Sequence, residues 1–415
     1  MELTHLFTDE QRMFQKTLRK FVDREIMPIR EELEKDRGLV ERVQQKLVDF
    51  GIQKGGYPPE YGGTGPYSSC VTIATMIEEL TRGDAGISIS SLTNAGALGL
   101  AMMAGNKVVL DKFAPDFCGD KVNYFCWAMT DSTGGCDTEN PLLKGRGITT
   151  RARLDGDEWV INGSKSWPTN AGIASLYLVI CTTDPEAGEE GIAQIYVPAD
   201  ARGLSFGKPE TKVGYKTCIN ASVFFDNVRV PKAYRLAGPG DDARFFYADA
   251  MALGQWMIAV GCLGTAQPAF DIALDYTRDR KSAGKPVREW SLVAGILADM
   301  AIRIELMRGG VYNYAMMLDH QDHYGRPFQD RMISQANILR VFAGEACEFV
   351  VSKAMELLGS NALSPEYHLE KYYRDAAITR IVLGGQQVSR YRVARGYYDY
   401  RINQHLGLPT RRVHV

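Results

Sequence analysis

Ile161-Asn162-Gly163-Ser164-Lys165-Ser166-Trp167-Pro168-Thr169-Asn170 is the stretch on which the fold turns. It begins in the second arm of a hairpin. Thr149 to Leu154 and Glu158 to Ile161 flank Asp155-Gly156-Asp157, a tight-turn signal between two strands. Tyr124 to Met129 reads as a buried strand, and Leu176 to Cys181, Ile192 to Val197 and Ala221 to Phe225 read as further strands. Several short strands with turns between them predict a small β-barrel or sandwich over residues 121–240. Taken alone, Trp167 has an ordinary reading as a core indole of the hairpin.

On both sides the pattern changes to helix. Thr8-Asp9-Glu10-Gln11 starts a helix that places Phe14, Leu18, Phe21 and Val22 on one face. Gly55-Gly56-Tyr57-Pro58-Pro59-Glu60-Tyr61-Gly62-Gly63 cannot continue a helix. A further helix ends at Ile77-Glu78-Glu79-Leu80-Thr81-Arg82-Gly83-Asp84, and one rich in small residues is expected around Ala95 to Leu110, with Ser90-Ser91-Leu92-Thr93-Asn94 before it as a loop. After the strands, Ala266 to Arg280, Leu292 to Leu318, Asp330 to Leu358 and Glu370 to Ile381 carry helical periodicity, as a four-helix bundle needs. The expectation is an α+β chain with an N-terminal helical domain (1–120), a middle β domain (121–240), a C-terminal helical bundle (241–402) and a C-terminal extension (403–415) without a motif.

The 415 residues, 45% hydrophobic and 24% charged, suffice for a large core. A net charge of -2 gives no reason to expect nucleic acid or an acidic membrane surface as a partner. The 8 cysteines are scattered without a CxxC pair, and the 6 histidines do not cluster with them, so no metal site is expected. Scattered thiols suit a reducing interior. The first residues enter a helical pattern without an apolar leader core or an Arg/Ser-rich segment, and apolar runs break before about 18 residues. The expectation is a cytoplasmic protein without membrane insertion.

Motifs make the layout specific. Thr130-Asp131-Ser132-Thr133-Gly134-Gly135-Cys136-Asp137 pairs a hydroxyl and N–H at Thr130 with glycines that let backbone approach a flat or anionic ligand, although an ordinary loop would read the same way. The octapeptide is similar to the Thr-Glu-Pro-Gly-Ala-Gly-Ser-Asp signature of the acyl-CoA dehydrogenase superfamily. The stretch from Asn162 to Asn170 resembles that family's Asn-Gly-x-Lys-x-Trp-Ile-Thr-Asn segment. Arg280-Lys281-Ser282-Ala283-Gly284-Lys285 resembles Arg-Lys-Thr-Phe-Gly-Lys, Leu358-Gly359-Ser360-Asn361-Ala362 resembles Leu-Gly-Gly-Asn-Gly, and Glu370-Lys371-Tyr372-Tyr373-Arg374-Asp375-Ala376 resembles Glu-Lys-x-x-Arg-Asp-Ala. Smaller matches at Pro59 to Gly63, Glu79 to Asp84 and Phe225 to Pro231 extend the resemblance over residues 5–400 in one order.

The resemblance implies FAD as cofactor, an acyl-CoA thioester as substrate, an electron-transfer flavoprotein as electron acceptor and a homotetramer in which Arg280 reaches a neighbour's FAD. It assigns Thr130, Trp167, Thr169, Arg280, Ser282, Gly359 and Gln387 to the cofactor, and Cys136, Leu383, Gly384 and Arg395 to the substrate. The family's chemistry is abstraction of the acidic α-proton by a carboxylate while a hydride leaves Cβ for the flavin, with the thioester oxygen held by hydrogen bonds.

The chain departs from the pattern where the base belongs. The Glu of Tyr-Glu-Gly-Thr-x-Gln aligns with Leu383 in Val382-Leu383-Gly384-Gly385-Gln386-Gln387, and the alternative Glu on a bundle helix aligns with Gly254. The Arg beside that second position is Gln255. Loss of a positioned base costs about 10²–10⁴-fold. Three readings follow: dehydrogenation of an unusual, alicyclic or branched, acyl-CoA with a relocated base; removal of another group from the thioester, such as a desulfination, without an α-proton base; or a non-catalytic flavin-binding subunit. Asp131 and Asp249 are the candidates for a relocated base, each with an ordinary alternative as a turn or packing carboxylate. Gly254 and Gly385 are smaller than the residues they replace and are expected to enlarge the acyl cavity.

Overall fold

The computed structural model describes residues 7–65, 69–134, 145–246 and 251–397. It is mixed α+β, with helices at both ends of the chain and a sheet in the middle. Its residues form two compact units. One comprises Thr17–Ser68 and Gly83–Tyr247, the other Met1–Lys16, Ser69–Arg82 and Ala248–Val415.

The unit built on Thr17–Ser68 and Gly83–Tyr247 holds the sheet. Its strands are β1 (Phe125–Ala128), β2 (Arg151–Asp155), β3 (Glu158–Lys165), β4 (Leu176–Thr182), β5 (Ile192–Pro198), β6 (Leu204–Phe206) and β7 (Val223–Pro231). The order is β1-β4-β2-β3-β7-β6, with β5 pairing the other side of β4. The β2–β3 hairpin closes through Gly156-Asp157, with Asp155 paired to Glu158 and Gly156 at φ 62°, as a two-residue loop demands. One face of the sheet carries Trp159, Ile161, Val179, Ile195, Val223 and Val228 into a shared core. On the other face Phe125, Leu178 and Tyr196 pack with Leu98, Val109, Phe113 and Phe117. β4 is therefore buried along its length and reads as an unbroken apolar run.

The helices beside this sheet differ from the sequence reading. The single helix expected over Ala95 to Leu110 is three: Ala85–Ala95, Gly99–Ala104 and Lys107–Cys118. Ser90 to Asn94, expected as a loop, is helical. Three of its polar side chains are buried and committed to distant partners: the Ser90 hydroxyl donates to Asn170 Oδ1 at 2.8 Å, Ser91 to Gln44 Oε1 at 2.9 Å, and Asn94 Oδ1 accepts from the Phe125 N–H at 3.0 Å. The stretches Ala85–Ala104 and Ala252–Asp279 have the length and hydropathy of a membrane span, but 50% and 61% of them is buried inside the protein.

The second unit is helical. Three long helices, Met251–Asp279, Ser291–Asp319 and Asp330–Leu358, are 29 residues each, about 43 Å at 1.5 Å per residue. Leu369–Thr379 follows, and after a tight turn comes Gly385–Tyr397, a helix that the sequence reading does not include. Asp330–Leu358 packs against the other four. Cys70–Gly83 joins this bundle through Glu78, whose carboxylate accepts from Arg308 Nη1 at 2.6 Å and from the Tyr312 hydroxyl at 2.7 Å. Removing one partner of such a buried pair leaves an uncompensated charge.

Asn94→Ala deprives the buried Phe125 N–H of its acceptor and Asn170 Nδ2 of a contact at 3.3 Å. An orphaned buried donor costs about 1–3 kcal/mol. We expect denaturant unfolding to show Asn94→Ala destabilised by about that amount; a variant of unchanged stability would show that this hydrogen bond does not hold helix to strand.

Candidate active site

The motif Asn162 to Asn170 divides into a part that shapes the backbone and a part that faces outward. Asn162 sits opposite an irregularity in the β3–β7 ladder, where Ile161 pairs Val228 but Gly163 pairs Phe225, so the extra residue lies on β7. There Asn227 adopts φ 50°, and its N–H donates to Asn162 Oδ1 at 2.9 Å. Gly163 sits at φ 140°, and a Cβ there would stand 2.8 Å from Thr150 Cα, so only glycine fits. Alternation along β3 then sends Lys165 to the same inward face as Trp159 and Ile161.

Lys165 is completely buried and pairs with Asp131 at 2.9 Å, while its Nζ also donates to Met129 O at 2.7 Å. The Asp131 carboxylate further accepts from Thr150 Oγ1 at 2.6 Å and from the Thr149 N–H at 3.1 Å. One residue on, the Ser166 N–H donates to Thr130 O at 2.8 Å. Both carboxylate oxygens of Asp131, a candidate base in the sequence, are thus engaged within the protein. The carboxylate is 2% exposed and is occupied by a buried ammonium, a hydroxyl and an amide.

The outward part starts at Trp167. Its backbone is left-handed (φ 67°), its carbonyl accepts from Asn220 Nδ2 at 2.6 Å, and its indole is 52% exposed. Thr169 bridges the backbone of Asn220, and its hydroxyl lies beside the Cys218 thiol, which burial pushes up. Thr130 and Thr169 are half-buried. The exposed indole is a flat wall, with Thr169 two positions on and Thr130 tied to Ser166 through its carbonyl. Asn220, which holds the wall, was missed from sequence because no local pattern marks it.

In the helical unit, the two positions where a base is expected touch each other. Leu383 lies in the turn Val382–Gly384 with φ 51° and ψ 48°, a conformation rare for leucine. Its carbonyl accepts from Gln255 Nε2 at 2.9 Å, and Val382 O accepts from Arg340 Nη2 at 3.3 Å. Gln255 and Arg340 are both completely buried. A Cβ on Gly254 would stand 2.8 Å from Leu383 Cδ1. The space expected from the small residue at 254 is therefore occupied by Leu383. Arg340 was missed in the sequence, where it reads as an ordinary helix charge.

The remaining positions are exposed. Arg280 and Ser282 lie in the short hairpin β8 (Lys281–Ser282) and β9 (Lys285–Pro286), turned by Ala283 at φ 46° and Gly284 at φ 85°. Gly359 ends its helix at φ 59°, ψ -134°, with nothing within 4 Å of where a Cβ would be. Its backbone, not crowding, requires glycine, and its N–H caps the helix by donating to Met355 O. Gln387 and Arg395 are exposed on Gly385–Tyr397, with the Arg395 guanidinium 5.9 Å from the Tyr391 ring, and Gly384 precedes that helix. Cys136 and Asp249 lie outside the described residues. Among the described residues no group of three His, Cys, Asp or Glu side chains converges as a metal site would.

Models of the acyl-CoA dehydrogenase N-terminal, middle and C-terminal domains match residues 8–120, 126–228 and 247–398. The chain belongs to the acyl-CoA dehydrogenase family. It is 32% identical over 388 residues to the short-chain specific acyl-CoA dehydrogenase of Bos taurus mitochondria, covering 93% of this chain and 89% of the relative. It is 28% identical over 383 residues to cyclohex-1-ene-1-carbonyl-CoA dehydrogenase of Syntrophus aciditrophicus strain SB, covering 92% and 88%. Butyryl-CoA dehydrogenase of Megasphaera elsdenii superposes with a TM-score of 0.82 at 26% identity, over 94% of this chain and 98% of that one.

This acyl-CoA dehydrogenase is thus a flavoprotein oxidoreductase by family, and its residues fit the cofactor. The exposed Trp167 face suits the ring system, and Thr130 and Thr169 suit its polar edge. Bound FAD supplies the hydride acceptor. Adding FAD to the apoprotein is expected to quench tryptophan emission, and Trp167→Phe is expected to lose most of that quench. An undiminished quench in the variant would put the flavin elsewhere.

Proposed function

We propose that this acyl-CoA dehydrogenase oxidises an alicyclic or branched acyl-CoA, with its proton acceptor at neither of the two usual positions and its electrons passing to an electron-transfer flavoprotein. The observation that carries the proposal is Leu383 seated on Gly254: the places of both family carboxylates are filled by one apolar contact. An alicyclic substrate is supported by the similarity to a relative named for cyclohex-1-ene-1-carbonyl-CoA. In this reading the Leu383 backbone N–H holds the thioester oxygen, because that contact needs no particular side chain, and Arg395 with Gly384 and Cys136 receives the CoA portion. Thr130, Trp167, Thr169, Arg280, Ser282, Gly359 and Gln387 hold FAD. With Asp131 committed to Lys165, Asp249 is the proposed base.

We also propose that the working form is a cytoplasmic homotetramer. Leu292, Ile302 and Leu306 on Ser291–Asp319 are 83%, 54% and 58% exposed, which suits a helix that meets another subunit.

The same apolar contact favours a second reading. A thioester reaction that expels a group other than the α-proton, such as a sulfinate, needs no carboxylate at either position.

Anaerobic single-turnover mixing with cyclohexanecarbonyl-CoA and with isobutyryl-CoA separates the two. The first reading expects flavin bleaching, slowed roughly 100-fold or more in Asp249→Asn with FAD still bound. Bleaching at the wild-type rate in Asp249→Asn would remove that residue as base. No bleaching by any saturated acyl-CoA, with release of sulfite from 3-sulfinopropionyl-CoA, would establish the second reading.

A further inference from the structure

We propose that the buried Asp131–Lys165 pair is a positioning device that sets the flavin-facing wall, a proposal that rests on the flavoprotein reading above. The pair ties three chain segments at one point. Lys165 ends β3 and reaches back to Met129 O at the end of β1. Asp131 reaches forward to Thr149 and Thr150 at the start of β2. Backbone bridges run beside it, with Asp131 paired to Lys165 and the Ser166 N–H on Thr130 O.

The residues proposed to face the flavin are the immediate neighbours of this knot. Thr130 precedes Asp131 by one position, and Trp167 follows Lys165 by two. The chain enters the left-handed conformation at Trp167 directly after the tie at Ser166, so the direction in which the indole leaves the strand is fixed by where Lys165 is anchored. Bulk stability does not account for the arrangement. A buried ion pair rarely stabilises a fold more than apolar residues of the same volume, and its attested use is to specify one geometry. Here the surrounding face is apolar, with Trp159 and Ile161 preceding Lys165 on the same side of the strand. An apolar residue at 165 would fill the space but would not choose the direction of the next turn.

Three variants decide the matter, read by FAD dissociation constant, flavin midpoint potential and single-turnover reduction of the flavin-loaded fraction. Asp131→Asn leaves Lys165 charged and without its counter-ion. FAD affinity is expected to fall at least about tenfold and the potential to move. Any slowing of reduction in loaded protein is expected to accompany the loss of affinity and the shift of potential. Asp131→Leu with Lys165→Met removes both charges and is expected to fold even where the single variant does not, with FAD still bound more loosely than in wild type. Asp131→Glu is expected to recover part of the affinity. Asp131→Asn with unchanged FAD affinity and potential but reduction slowed roughly 100-fold would make Asp131 the base and overturn the proposal. Wild-type affinity and potential in the double variant would reduce the pair to packing and overturn it equally. Wild-type protein that takes up no FAD would instead overturn the flavoprotein reading, before any variant is compared.

Discussion

An ammonium group cannot sit inside a β-module without a counter-charge, and Lys165 is completely buried. Strand alternation places it there. The irregularity that keeps the pattern in phase lies on β7 at Asn227, and Asn162 bonds it in place. Asp131 is therefore a requirement of Lys165. It follows that much of the Asn162 to Asn170 motif is architecture: Asn162 serves the bulge, Gly163 the close approach of Thr150, and Lys165 the ion pair. In the proposed reading Trp167 and Thr169 are the residues that meet the flavin. The exposure and left-handed backbone of Trp167 are what a loop shows when the surrounding ties over-determine it.

In the helical unit the corresponding constraint is apolar. Leu383 holds an uncommon backbone conformation because Gln255 binds its carbonyl from one helix and Arg340 binds its neighbour's carbonyl from another. The side chain then closes over Gly254. The two replacements that look independent in the sequence are one packing unit: a carboxylate at 254 would need Leu383 to move. The residues that match the family's flavin motif are present, while the two positions where the family carries its carboxylate hold Leu383 and Gly254.

The sequence disclosed the strands and the long helices because burial there follows a period. β4 is buried at each position and reads as a continuous apolar run, and Asp155-Gly156-Asp157 announces its hairpin. The three residues of Leu204–Phe206, two of them exposed, carry no such pattern and were not seen. Ser90 to Asn94 looked like a loop because its residues are polar, yet three of them are buried by hydrogen bonds to partners 31 to 80 positions away. Periodicity does not register such bonds. Asp131 stands in the sequence as a candidate base, but its partner Lys165 lies 34 residues on and no local pattern shows the pairing. The room expected at Gly254 failed for the same reason, since Leu383 comes from a turn more than a hundred residues later.

The central claim is that this acyl-CoA dehydrogenase keeps the flavin platform while both usual carboxylate positions are closed by Leu383 on Gly254. The most direct measurement is anaerobic flavin bleaching by butyryl-CoA, compared between the wild type and Leu383→Glu. The account predicts negligible bleaching of the wild type on a scale of seconds, and bleaching at least roughly 100-fold faster once a carboxylate stands at 383. Rapid bleaching of the wild type by this straight-chain thioester, unimproved in Leu383→Glu, would contradict it.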